Sequence, residues 1–122
     1  TADINALAAQ VGDCLAEMPA TDGSAVESVT LTSCKEAHMV EIVAGFEIDD
    51  TKAGPGSIMK TGEIGCRSRV PKAVDVDRTD PRTQIYFWAP DPVAWNNGDR
   101  TVMCGTGVPG EKTSGSIRTR GA

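Results

Sequence analysis

Four residues able to do chemistry stand close together in "SCKEAHMVE", from Ser33 to Glu41: Cys34, Glu36, His38 (the only histidine of the chain) and Glu41. A histidine titrates near neutral pH, and a carboxylate beside it can orient the ring as a general base. Glu36 and Glu41 are near enough in sequence for that role, and Asp13 is a third candidate if the fold brings it across. No serine lies in a nucleophile-elbow context, however, so the base has nothing evident to activate. The residues therefore predict a histidine that bonds the backbone at a strand entry, and no catalytic residue is assigned. If His38 does act in catalysis, an enzyme is the third reading of function.

Cys14, Cys34, Cys66 and Cys104 are dispersed. They form no CxxC pair and have no second histidine, so no metal site is expected. An even count in a small Gly-rich domain predicts two disulfides and an oxidising compartment outside the cytoplasm. Of the three possible pairings, Cys14 with Cys34 is favoured because each borders an extended segment and the chain can fold back through Pro19 to Ser24. Cys66 with Cys104 then ties a helix to a late strand, and each closed loop contributes about 3–4 kcal/mol.

Two further clusters invite a ligand. "DVDRTD" gathers Asp75, Asp77 and Asp80, yet Asp80 stands where a calcium-binding EF-hand loop needs glycine, and Tyr86 where it needs its closing glutamate. A solvated loop is expected. "GPG" at Gly54 to Gly56 is a turn and not a phosphate loop, because no GKS or GKT follows, and no cofactor is expected. Tyr86, Trp88 and Trp95, with Phe87, are expected to supply core, and Tyr86, Trp88 and Trp95 otherwise make a partner surface.

The elements that must position these residues are mostly short strands. Val11 to Leu15 opens the domain, and Val29 and Leu31 form the inner face of the next strand. From Val40, apolar Val40, Ile42, Ala44, Phe46 and Ile48 alternate with Glu41, Gly45 and Glu47, the pattern of a half-buried central strand. Ser57 is placed to cap a helix with Ile58, Met59, Gly62, Gly65, Cys66 and Val70 on one face, stopped at or near Pro71. "QIYFWA" reads as a strand, Asp91 and Pro92 start a short helix ended by Asn97 and Gly98, and "DRTVMCGTGV" is a strand with Val102 and Cys104 on one parity. "GSIRTR" is a possible edge strand. Residues 1–10 read as a linker or N-terminal extension, a helical turn or disordered, and 11–122 as one disulfide-bonded domain.

Composition narrows the function classes. Twelve Lys and Arg against 17 Asp and Glu leave a net charge of −5, which opposes nucleic-acid and anionic lipid surfaces, so no nucleic-acid partner is expected. No apolar run approaches the roughly 18 to 20 residues of a membrane span. Thr1 stands without an initiator Met or a signal-peptide pattern, as expected of a processed or excised piece.

"GDCL" at Gly12 to Leu15, "CKEAH" at Cys34 to His38 leading into "VEIVAGFEI", the GPG turn before a cysteine-bearing helix, "WNNGDRTVMC" at Trp95 to Cys104 and the terminal "GSIRTRG" together resemble the septum-formation-related domains of actinobacteria. The likeness covers nearly everything after residue 11 or so. It implies an extracytoplasmic domain behind a membrane anchor outside this chain, linked to division or envelope assembly, with a protein or cell-envelope component as partner. It supplies no catalytic residues. Ala37 stands where the family carries proline before the histidine, which leaves the backbone entering His38 freer.

The expected molecule is thus an α+β domain: a small antiparallel sheet of about four to five strands, one or two short helices on it, and two disulfides. Its expected role is a non-catalytic extracytoplasmic interaction domain. The main alternative is an extracytoplasmic sensor or small-ligand-binding domain. Peptide mapping without reduction should recover Cys14 linked to Cys34 and Cys66 linked to Cys104; a peptide joining Cys14 to Cys66 or to Cys104 contradicts the layout.

Overall fold

A computed structural model describes residues 2–5, 10–17, 28–49, 51, 55–90 and 92–119. Its strands are β1 (Ala2–Asn5), β2 (Cys14–Leu15), β3 (Ser28–Thr32), β4 (Val40–Glu47), β5 (Gln84–Trp88) and β6 (Thr101–Gly107); its helices are α1 (Ile58–Ala73) and α2 (Pro92–Asn96). The strands form one sheet in the order β1-β3-β2-β4-β6-β5, with every pairing antiparallel. Residues 11–122 contribute five of them, within the four to five expected. The sixth, β1, comes from the N-terminal extension. A helical turn or linker was expected there; Ala2–Asn5 instead pairs with Leu31 to Ser28, satisfying backbone groups that an open strand edge leaves exposed.

The alternation read from Val40 to Ile48 is real but is broken once. The register between β4 and β6 shifts between Ile42 and Ala44, so Val43 is an extra, bulged residue. Val40 and Ile42 pack with Leu15 on one face, against Leu31, Met39, Trp88 and Met103. After the bulge, Ala44, Phe46 and Ile48 join Val43 on the opposite face, in the core beneath α1. A period-2 pattern with an apolar residue at its midpoint reads the same with or without the bulge, which is why one uninterrupted face was expected. Val29 pairs through its backbone as predicted, whereas its expected inward face lies outside the described side chains.

Helix α1 lies on the second face, fixed by the Cys66–Cys104 disulfide to β6, with Cα atoms 5.4 Å apart. Ile58, Gly62, Gly65, Cys66 and Val70 are its buried residues, as predicted, while Met59 is half-exposed and falls outside that face. Ser57 occupies the N-cap position without a side-chain cap bond, and a 3₁₀ turn, Pro55–Ser57, leads into the helix. The helix runs two residues beyond Pro71, to Ala73. A proline in the last turn removes only its own N–H, and Val74 then turns the chain into extended backbone.

Helix α2 ends as its sequence predicts, after five residues. Gly98 has φ +95°, its N–H reaches the Trp95 carbonyl at 3.0 Å, and the Asp99 N–H reaches Ala94 at 2.9 Å. That bond pair is the Schellman ending, which needs a left-handed residue in the glycine's place. The Asp91 cap, Gly54 of the GPG turn and the Pro19 to Ser24 turn lie outside the described residues.

Close packing of α1 depends on its glycines. A Cβ at Gly65 would collide with the Phe46 ring, over which the Arg69 guanidinium also sits at 4.1 Å. Gly65→Ala gains about 1 kcal/mol of helix propensity but meets an overpacking cost of about 1–3 kcal/mol. Thermal denaturation should therefore show a lowered melting temperature for Gly65→Ala. In a Phe46→Leu background the same substitution should become neutral or stabilising, because the obstructing ring is gone.

Candidate functional site

The carboxylate of Glu41 is the most tightly held polar group in the candidate cluster. It lies in β4, opposite Cys14 of β2 and Thr106 of β6, and its residue is 2% exposed. Burying an ionised carboxylate costs several kcal/mol unless donors replace water. Three donors do so, all from one short C-terminal segment: the Ser116 hydroxyl, the Ile117 N–H at 2.8 Å and the Arg118 Nε at 3.2 Å. The Arg118 guanidinium lies over Gly12, where even a Cβ would stand 3.3 Å from it. A glutamate at a buried strand position, followed much later by "GSIRTR", was the available sign of this arrangement.

The tail that carries these donors continues to stitch the domain. Gly115 N–H donates to the Cys34 carbonyl at 2.6 Å, Thr113 and His38 exchange backbone hydrogen bonds at 2.9 Å, and Asp75 N–H donates to Ile117 at 2.7 Å. Thr119 N–H then donates to Ala73 at the end of α1. The expected edge strand in "GSIRTR" is therefore not a ladder. Single bridges, His38 with Thr113 and Val74 with Arg118, fasten the tail between the strand entry and the helix end. Ion pairs at its surface, Lys112 with Glu17 and Arg82 with Glu111, reinforce its path.

His38 is 2% exposed. Its Nδ1 lies 2.8 Å from the Glu36 carbonyl, which can only accept, so Nδ1 carries the proton and donates. The Glu36 side chain is exposed, and Glu36 meets the histidine through its backbone. Asp13 does not orient His38 either: its carboxylate caps a turn by accepting from the Gln10 N–H at 2.8 Å, and its carbonyl accepts from Ile42. The freedom expected after Ala37 is absent, because two reciprocal backbone hydrogen bonds with Thr113 fix the His38 backbone.

Cys14 is joined to Cys34, with Cα atoms 5.2 Å apart, so both predicted disulfides are present. Cys14, Cys34 and Glu41 offer potential metal ligands within 4.8 Å of one another. The two sulfurs are bonded to each other and supply no thiolate, so this grouping does not fit a metal.

Two of the three aspartates of the 75–80 loop bind arginines. Asp75 accepts from Arg78 at 3.2 Å and Asp80 from Arg82 at 2.9 Å, while Arg78 also reaches the Ser116 and Arg118 carbonyls. The hydrogen-bonded Arg82 side chain holds the Asp80 carboxyl below the usual carboxylate range. The aromatic residues, expected to supply core or otherwise one partner surface, are divided between the two faces of the sheet. Trp95 is buried beneath α1 with Arg100 stacked on it at 3.7 Å, whereas Tyr86 and the half-buried Trp88 share the other face, ring centroids 6.3 Å apart. Their strand parity decides this: Phe87, between them, points to the α1 side.

A family model for septum formation matches residues 11–122. No curated protein and no solved structure matches the chain.

Removing the carboxylate leaves the Ser116, Ile117 and Arg118 donors without their buried acceptor. Glu41→Ala is expected to destabilise the domain by about 3 kcal/mol, read from the denaturant midpoint. Glu41→Gln keeps one acceptor oxygen and should lose less. Equal midpoints for wild type and Glu41→Ala contradict the anchoring role.

Proposed function

The chain belongs to the septum-formation family, and from that premise we propose that it is a non-catalytic interaction domain working outside the cytoplasm, where it binds a protein or envelope component during septum or envelope assembly. The family membership supports a septum- or envelope-related role. The two disulfides fit an oxidising location, and among the described residues no helix is long and apolar enough to cross a membrane. Attachment to an actinobacterial membrane through a segment outside this chain extends that reading.

One observation carries the non-catalytic part. The residues suited to chemistry already have structural work: Cys14 and Cys34 are bonded together, Glu41 receives three donors, and His38 donates Nδ1–H to a backbone carbonyl. A general base needs its reactive nitrogen within reach of a substrate proton. His38 is instead 2% exposed and tied to the carbonyl of its own turn, which supports a structural part at the strand entry.

His38→Asn separates the readings, since an asparagine amide can supply the same donor to the Glu36 carbonyl but cannot act as an imidazole base. In the cell of origin, a strain lacking the protein is expected to show a septation defect that His38→Asn corrects as fully as wild type. His38→Ala should instead lower the melting temperature. A folded His38→Asn protein that fails to correct the defect would favour catalysis, and the absence of any septation or envelope defect in the deletion strain removes the proposed role.

A further inference from the structure

We propose that β5 is an edge along which two copies of this chain pair antiparallel, about a two-fold axis through Tyr86. Among the described residues, β5 ends the sheet and no strand lies beyond it. An edge strand turns alternate N–H and C=O groups outward, a ready template for another strand, and edges that must stay single are usually guarded by charge, proline or a bulge. Gln84–Trp88, "QIYFW", has neither charge nor proline, and its pairing with β6 runs without a register shift.

The second copy is favoured as occupant by what self-pairing places opposite what. With Tyr86 facing Tyr86 of the second copy, Ile85 of each chain faces Phe87 of the other. Ile85 and Phe87 are half-buried and pack against the core beneath α1, so the pairing extends each apolar core across the junction. The molecule has a net charge of −5, and a neutral strand lets two such molecules meet without like charges directly opposed. The opposite edge, β1, is one residue shorter and carries Asp3. Proline at position 90 limits the ladder to a few residues, so the contact falls below the roughly 1,000 Å² of a stable interface and the dimer is weak.

The described cysteines are all in disulfides, which makes an introduced cysteine a clean reporter. Directly opposed residues of an antiparallel pair have Cα atoms about 4.5–5.5 Å apart, inside the roughly 4.4–6.8 Å that a disulfide spans. Under mild oxidation, Tyr86→Cys should give severalfold more covalent dimer than two controls: Gln84→Cys, whose mate in this register lies well along the strand, and Val76→Cys, 79% exposed on a loop. Mapping must show both native disulfides intact in each variant. Sedimentation of the unmodified protein reads the association without any substitution, and its mass should rise above monomer between about 10 and 500 μM. Equal cross-linking at all three positions, or a monomer throughout that range, overturns self-pairing. So does a monomer whose β5 amides gain exchange protection only on adding envelope proteins, which assigns the edge to another protein's extended segment.

Discussion

A buried glutamate in the middle of a sheet has to be answered by donors, and in this domain the answer comes from 75 to 77 residues further along the chain. Much of the domain's closure follows from that constraint. To reach Glu41, the tail must cross beside the Cys14–Cys34 bond, which brings Gly115 to the Cys34 carbonyl and Thr113 to His38. Beyond Glu41 it passes the end of α1, where Ala73 and Asp75 bond to it. The carboxylate thus connects the β2–β4 side of the sheet, the helix end and the 75–82 loop, whose arginines fasten onto the tail in turn. Desolvation of one charge is large enough to matter against a total stability of about 5–15 kcal/mol. That makes the clasp a requirement of the fold.

The two disulfides act at right places for the same end. Cys66–Cys104 fixes α1 on the sheet, where small residues on the helix admit the rings of Phe46 and Phe87. Cys14–Cys34 fixes the two-residue strand β2 against the turn after β3, beside the Glu41 clasp. A strand so short gains little from its own ladder. Its buried Cys14 and Leu15 are held instead by the covalent bond and by the strands on either side, β3 and β4. Such bonds persist in an oxidising compartment, the setting that two disulfides fit.

How far the sequence disclosed this structure depended on whether the determining interaction was local. Alternation at Val102 and Cys104, the C-terminal signals at Asn97 and Gly98, and the apolar face of α1 apart from Met59 all act within a few residues, and each is found where expected. The Val43 bulge left no trace because valine suits either face. The division of Tyr86 and Trp88 from Trp95 follows from strand parity against helix packing, which shared aromatic character does not reveal. The Glu41 clasp is non-local: Glu41 and Arg118 were both visible, but nothing between them specified the pairing. His38 was correctly read as bonding the backbone, while its bridge to Thr113 required the tail to be in place.

The account stands on the tail being an integral part of the fold. Native-state amide hydrogen exchange measures that directly. The N–H groups of Thr113, Gly115, Ile117 and Thr119 should be protected to within about tenfold of those in β4 and β6, exchanging only when the whole domain opens. Exchange of these four amides near the rate of an unstructured peptide, with β4 and β6 still protected, would show a tail that merely lies on the surface and would contradict the central role given to Glu41.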